Sequence, residues 1–208
     1  NDVMSLGTHR SWKKNLIKLI NPTIGQSLID VGCGTGDIAK LYSQVTNYNS
    51  NILCVDPNKK MIEKGKNRLK NFSNIQWKEC FGEKLKVQDE KFDFYTISFG
   101  LRNTSSVEKT ISEAYRVLKK GGRFFCLEFS KIRNQNLSFL YSQYSKLLPK
   151  IGELVVGDRK PYEYLVKSID QFLNQDELKK IMEDYKFIDC DYIDLNGGVV
   201  AIHSGWKI

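Results

Sequence analysis

The sequence predicts an α/β fold: seven strands in one mostly parallel sheet, helices on both faces, and a C-terminal antiparallel β-hairpin. Three observations carry this. Short apolar runs alternate with amphipathic stretches of helical period between residues 28 and 129, the pattern of parallel strands joined by crossover helices. The first run, Leu28-Ile29-Asp30-Val31, opens into Gly32-Cys33-Gly34-Thr35-Gly36, and a helical pattern starts immediately behind it. The last two runs, residues 187–195 and 199–206, are separated only by Asn196-Gly197-Gly198, a hairpin turn signal.

Taken in order, a helix carries Leu16, Ile17 and Ile20 on one face and is ended by Asn21-Pro22. Residues 28–31 are apolar and glycine-bounded, as a buried parallel strand is. Ile38, Leu41, Tyr42 and Val45 then fall at i, i+3, i+4 and i+7 of a helix. The second strand, 52–55, ends at Asp56-Pro57, and a basic helix with Met61, Ile62 and Leu69 leads to a third strand at 75–77. A turn over 80–85 follows. The fourth strand, 92–97, opens into Ser98-Phe99-Gly100-Leu101-Arg102-Asn103. Ser105 and Glu108 are spaced as a capping box for a helix whose stripe is Val107, Ile111, Ala114, Tyr115 and Leu118. Gly121-Gly122 ends that helix before a strand at 123–129. Between 134 and 172 two broad apolar stripes (Leu137 to Leu148, then Tyr162, Leu165, Val166, Ile169 and Phe172) are more than one crossover needs. This helical insertion is expected to form a substrate lid, with plain core packing as the alternative for its aromatics. Asn174 and Glu177 cap the last helix. Residues 1–208 read as a single domain. In a doubly wound, Rossmann-like sheet of this kind ligands gather at the carboxyl ends of the strands, where Gly32, Asp56, Phe81 and Ser98 fall.

Composition bounds the function. The 208 residues are 41% hydrophobic and 27% charged, ordinary for a globular protein, and no apolar run approaches the length of a bilayer span. The 32 Lys and Arg against 24 Asp and Glu leave a net charge of +8. That suits an anionic partner, with lysine-rich solvated helix faces as the plainer alternative. The five cysteines are widely spaced and odd in number, with no C-x-x-C and no Cys/His cluster. Reduced, buried thiols are expected, and no metal site; this is cytosol-type usage. The chain starts at Asn1 without a methionine, which leads us to expect a longer protein ahead of it.

The glycine turn separates two kinds of ligand. A dinucleotide fingerprint, G-x-G-x-x-G, would place its last glycine where this chain has Asp37. A pyrophosphate on that helix N-terminus would meet a carboxylate, whereas a zwitterion with an ammonium and a sulfonium would tolerate it. Asp56, twenty residues beyond Gly36 at the end of the next apolar run, can accept both hydroxyls of a ribose. Together these resemble the cofactor site of class I S-adenosylmethionine-dependent methyltransferases; a glycine turn that binds nothing is the alternative. His9 is an acid/base candidate, weighed against a structural or solvated histidine. None of the four prolines makes the Pro-Pro-Tyr/Phe or Pro-Cys motifs of nucleic-acid methylases, and no aromatic–basic platform stands out, so nucleic acid is not an expected partner.

The segment Ile97-Ser98-Phe99-Gly100-Leu101-Arg102-Asn103 is similar to that of the ubiquinone/menaquinone biosynthesis C-methyltransferases. The resemblance runs the whole length, through Gly7-Thr8-His9-Arg10-Ser11-Trp12-Lys13, Tyr115-Arg116-Val117-Leu118-Lys119-Lys120-Gly121-Gly122, Leu127-Glu128-Phe129-Ser130-Lys131, Tyr164-Leu165-Val166-Lys167-Ser168-Ile169 and His203-Ser204-Gly205-Trp206-Lys207. It implies an enzyme: S-adenosylmethionine-dependent methylation of a ring carbon of a polyprenyl benzoquinol, or of demethylmenaquinol. It implies cofactor contacts at Gly32, Gly34, Thr35, Gly36, Asp56, Phe81, Gly82 and Ser98. Position 81 is usually Asp or Asn in that family, so Phe81 has only its ring and backbone to offer. The implied catalytic pair is Arg102 and Asn103. A guanidinium is a poor literal base, so Arg102 is expected to stabilise a developing phenolate or orient a water, with an ion pair to Glu128 or Asp93 as the structural alternative. The polyprenyl tail gives the basic surface and the 134–172 region a purpose at an anionic membrane face, peripheral on the inner membrane from the cytoplasmic or, in a eukaryote, the matrix side. A homodimer or a quinone-biosynthesis complex is the implied assembly. The alternatives are a methyltransferase acting on a soluble small molecule and a non-catalytic cofactor-binding subunit.

Overall fold

The computed structural model describes residues 7–133, Gln135, Phe139 and 159–208. The first stripe of the expected lid, Leu137 to Leu148, lies outside the described residues. Helix α1 spans His9–Ile20, strand β1 Leu28–Val31, α2 Asp37–Val45, β2 Ile52–Asp56, α3 Lys59–Arg68 and β3 Ile75–Glu79. These are followed by β4 Phe92–Ser98, a 3₁₀ turn Leu101–Asn103, α4 Val107–Val117, β5 Leu118–Phe129, α5 Lys160–Gln171, α6 Gln175–Asp184, β6 Ile188–Leu195 and β7 Val200–Trp206.

The seven strands form one sheet in the order β3-β2-β1-β4-β5-β7-β6. The first five are parallel neighbours, and β7 runs antiparallel between β5 and the edge strand β6. β1 is central and buried along its whole length, which is why its sequence is a short apolar run without alternation. Each face of the sheet has its own core. Leu16, Ile17 and Ile20 of α1, Ile38 and Tyr42 of α2 and Ile169 of α5 pack on one side. Ile111 and Ala114 of α4, with Leu178 and Met182 of α6, pack on the other. Among the described residues no helix is long and apolar enough to cross a membrane.

Three local expectations are corrected. The helix after β4 is capped one residue later, by Ser106, whose hydroxyl accepts from the Lys109 N–H. Ser105 is drawn away because its N–H and hydroxyl both donate to Glu83. Leu118 is not the last residue of that helix but the first of β5, extended and paired with Phe92. Gly121 and Gly122 sit inside the strand, held to Lys207 by a backbone bond from each side of the pair. By contrast, Asn174 and Glu177 form the reciprocal capping box expected of them.

One indole organises the turn behind β1. Gly36, the N-cap of α2, has φ of 82°, and a Cβ there would lie 2.7 Å from the Trp77 ring. The same ring lies against Gly65 in α3, where a Cβ would come within 2.3 Å. Trp77 of β3 therefore locks the glycine turn and α3 together. This generates a prediction against propensity. In an exposed helix Gly→Ala stabilises by about 1 kcal/mol, but here the overpacking penalty of about 1–3 kcal/mol exceeds it. Gly65→Ala should lower the urea midpoint, and adding Trp77→Leu should restore part of the loss; a stabilised Gly65→Ala protein would contradict this packing.

Candidate active site

The carboxyl ends of β1, β2 and β4 and the turn after β3 converge on a cavity of about 470 Å³ lined by Gly32, Asp56, Phe81, Gly82, Gly100 and Asn103, among others. Asp56 is buried at its wall. One carboxylate oxygen accepts the Gly34 N–H at 2.9 Å and the other the Asn58 N–H at 2.8 Å. Each oxygen keeps a further lone pair, which suits a vicinal pair of hydroxyls. Gly82 lies so close to β1 that a Cβ would approach the Val31 methyl to 3.1 Å, so a side chain there would push the turn off the strand. The Phe81 ring stands at the rim, 65% exposed.

Beneath the glycine turn two oxygens lack partners. Asp30 is fully buried in β1; one of its oxygens accepts from the Thr96 hydroxyl at 2.8 Å and the other has no partner. Burial pushes its carboxyl up to about 7, the Thr96 bond and Lys13 offsetting only part of the effect. The Ser98 hydroxyl at the end of β4 is likewise buried without a partner. Asp30 belongs to no motif named above, and its signal in the sequence is that of a single carboxylate inside an apolar run. Orphaned polar atoms beside a cradle call for a polar ligand.

The rest of the glycine turn faces elsewhere. The Thr35 hydroxyl accepts from Arg68 at 2.9 Å. Asp37 pairs with Lys13 and Arg68, each at 2.6 Å. Burial would raise its carboxyl, but the two cations outweigh this and hold it at about 2. Asp37 thus points away from the cavity and its charge is neutralised, so it does not repel a ligand there; the first-turn side chain of α2 projects outward, which the pattern alone could not reveal. It lies in a separate cleft of about 450 Å³, where Arg10, Lys13, Lys14, Lys40 and Arg68 surround this one carboxylate. His9 lines that cleft, not the cavity, and is buried.

Arg102 and Asn103 are set by an unusual turn. Phe99 takes a left-handed φ of 56°, costly for an aromatic residue. Its ring packs against Phe129 and Trp12, with centroids at 5.1 and 6.0 Å. Its carbonyl accepts from Arg102 Nη1 at 2.7 Å. The same Nη1 pairs with Glu128 Oε1 at 2.7 Å, and Nε donates to the Ser168 hydroxyl at 3.3 Å. The guanidinium also lies over the Phe129 ring. Burial raises the Glu128 carboxyl, and Arg102 and the Phe129 N–H pull part of that back. The ion-pair alternative for Arg102 is therefore realised with Glu128. Asp93 is committed to Ser27 and Lys119 at the start of β4. Asn103 faces the cofactor-sized cavity, and its amide oxygen accepts from the Tyr164 hydroxyl at 3.1 Å. Arg102 instead lines a second cavity of about 440 Å³ under α5. The described part of the expected lid, α5, packs Tyr162, Leu165, Val166 and Ile169 into the core.

The model of the ubiE/COQ5 methyltransferase family matches residues 1–207. The ubiquinone/menaquinone biosynthesis C-methyltransferase UbiE of Zymomonas mobilis is 42% identical over 100% of the chain and 86% of its own length. The mitochondrial 2-methoxy-6-polyprenyl-1,4-benzoquinol methylase of Gallus gallus is 41% identical over 100% of the chain and 79% of its own length. Among solved structures, a SAM-dependent methyltransferase from Aquifex aeolicus superposes with a TM-score of 0.70 at 14% identity, over 94% of this chain and 89% of that one. The Haemonchus contortus phosphoethanolamine N-methyltransferase 2 in complex with S-adenosyl-L-methionine gives 0.69 at 14% identity, over 95% of this chain and 52% of that one. These two share the fold.

The raised Asp30 carboxyl makes a signed prediction. Its protonated form is favoured by folding, so its contribution to stability is complete below the ordinary value of 3.8 and is lost as pH rises through about 7. Asp30→Asn, which mimics the neutral acid, should gain stability relative to wild type across that window. Urea titrations at intervals through it would show a constant difference if Asp30 were not perturbed.

Proposed function

The chain belongs to the ubiE/COQ5 methyltransferase family, and on that premise we propose that it methylates a ring carbon of a polyprenyl benzoquinol, or of demethylmenaquinol, using S-adenosylmethionine. The observation that carries this reading is a cavity with a ribose-type carboxylate, Asp56, at one wall and Asn103 at another. Bound there, S-adenosylmethionine supplies a sulfonium-activated methyl group, already a strong electrophile. Asp56 would hold the ribose hydroxyls, and the Gly32, Gly34, Thr35 and Gly36 turn would meet the methionine end by its backbone alone, the Thr35 hydroxyl being taken by Arg68. The free oxygen of Asp30 and the Ser98 hydroxyl lie buried and unpartnered beneath that turn. Phe81 and Gly82 flank the base, Phe81 by its ring.

What remains for the protein is to make an aromatic carbon nucleophilic. Loss of a proton from the quinol hydroxyl raises electron density on the neighbouring ring carbon. Asn103 orients that hydroxyl. Arg102 stabilises the oxyanion or holds the water that takes the proton, through Nη2, which has no partner among the described residues. Glu128, Phe99 and Ser168 fix the guanidinium for that task.

Arg102→Lys keeps the charge but cannot span Glu128, Ser168 and the Phe99 carbonyl together. It should lower kcat by about 10²–10³-fold, the cost of losing one oxyanion donor, with cofactor affinity nearly unchanged by calorimetry. Asp56→Asn should do the reverse, weakening the cofactor by about 10–100-fold, since hydrogen bonds to a charged group contribute about 1.5–3 kcal/mol each. Full turnover in Arg102→Lys would remove its role.

We further propose that the protein works at an anionic membrane face. Between residues 176 and 194 seven carboxylates outnumber three lysines, so the remaining residues carry a net charge of +12 within the total of +8. The cleft of Arg10, Lys13, Lys14, Lys40 and Arg68 is the densest basic feature near the glycine turn. Flotation with anionic vesicles should carry the protein and zwitterionic vesicles should not; no flotation with either would exclude this location.

A further inference from the structure

The cavity under α5 enters the reaction as described so far only through Arg102 at one wall. It is lined by Arg102, Val107, Tyr164, Ser168, Phe172 and Leu173, with Glu108, Lys167 and Gln171 at its edge. Tyr164, Ser168 and Gln171 fall at i, i+4 and i+7 of α5 and so share one face of the helix. Val107, Phe172 and Leu173 pack against the core beside α4 and are only partly buried there. Tyr164 is 59% exposed yet its hydroxyl is anchored on Asn103. The cavity is therefore apolar at Val107, Tyr164, Phe172 and Leu173, polar at Arg102 and Ser168 and charged at its exposed edge, and it meets the first cavity at the Arg102–Asn103 turn: Arg102 faces one side and Asn103 the other.

That arrangement constrains how an acceptor with a head and a long apolar tail can sit. The reacting ring must reach the cofactor cavity at Asn103, because the methyl donor occupies that side. The tail then has to leave the ring across the Arg102–Asn103 turn. The cavity beneath α5 adjoins that turn and exposes aliphatic and aromatic side chains, while the methylene stems of Lys167 and Gln171 extend the apolar surface at its edge. We propose that this second cavity is the subsite for the isoprenoid units of the acceptor nearest its ring. Val107, Phe172 and Leu173 contact the tail, and Tyr164 guides it past Asn103. This inference rests on the quinol-methylating reading and adds to it a place where tailed acceptors are distinguished from bare rings.

The test uses the full chain and two acceptors with the same ring, one without a tail and one with a short prenyl tail. For wild type the tailed quinol should have a KM at least tenfold lower. Gln171→Trp fills the cavity from an exposed helix position, and Leu173→Ala removes part of its lining. The first should raise KM for the tailed quinol about tenfold and the second about threefold. In both, KM for the tailless quinol and the cofactor Kd should stay within twofold of wild type. Circular dichroism confirms folding, and either variant alone decides the matter if the other fails to fold. Equal KM for the two acceptors on wild type, or variants that move both acceptors alike, would overturn the tail subsite while leaving quinol methylation intact. A wild-type protein that binds the cofactor but methylates neither quinol would overturn the underlying reading, and this subsite with it.

Discussion

The contact between Glu128 and Arg102 is the constraint on which the site depends. Both side chains are almost entirely withdrawn from water, at 1% and 8% exposure. Removing one partner of such a pair leaves a buried charge and costs about 3–5 kcal/mol. Neither residue can leave, so the backbone around them is obliged to comply. Phe99 accepts a left-handed conformation, its carbonyl turns toward the guanidinium, and its ring is clamped by Trp12 and Phe129. The 3₁₀ turn that follows sends Arg102 to one cavity and Asn103 to the other. Strain at one residue is thus repaid by a charge-assisted network that fixes where Arg102 and Asn103 stand.

The glycine cradle obeys a different logic. Three carboxylates lie around it, one outside, one at the cavity wall and one beneath, and the fold treats each differently. Asp37 is neutralised by two cations on the outer side. Asp56 is satisfied by backbone N–H groups and keeps lone pairs for a ligand. Asp30 is enclosed with one oxygen unmatched, which burial offsets by favouring its protonated form. Charge, solvation and hydrogen bonding therefore sort chemically identical groups into an ion-paired tie, a carboxylate with lone pairs to spare and a buried acid whose neutral form is favoured. Trp77 holds this arrangement in register, since its indole fills the space that side chains at positions 36 and 65 would claim.

Much of this was readable from residue order. The alternation of apolar runs and amphipathic stretches gives the parallel sheet, and Asn196-Gly197-Gly198 the hairpin, because both signals are local. Ser105 and Leu118 were misplaced for a common reason. Each satisfies a local rule, capping or helical periodicity, but a distant partner wins: Glu83 takes Ser105, and pairing with Phe92 draws Leu118 into the sheet. Asp30 escaped notice because an acidic residue in an apolar run has no meaning until the run is known to be the centre of the sheet. Asp37 was read with the right sign and the wrong direction, since neither Lys13 nor Arg68 is near it in sequence.

By itself the sequence determined the α/β class, the glycine turn, the acid at the end of β2 and the family to which the chain belongs. The first three depend on spacing within a few tens of residues, and the family on motifs along the whole length. Only the tertiary structure decided which carboxylate Arg102 meets, that Asn103 and not Arg102 lines the cavity at the ends of β1, β2 and β4, and that Arg102 lines a second one under α5. Those outcomes are set by contacts between Arg102 and Glu128 and between Tyr164 and Asn103, 26 and 61 residues apart in the chain. Their energies depend on how deeply each pair is withdrawn from water, a quantity that exists only once the sheet has closed its two faces.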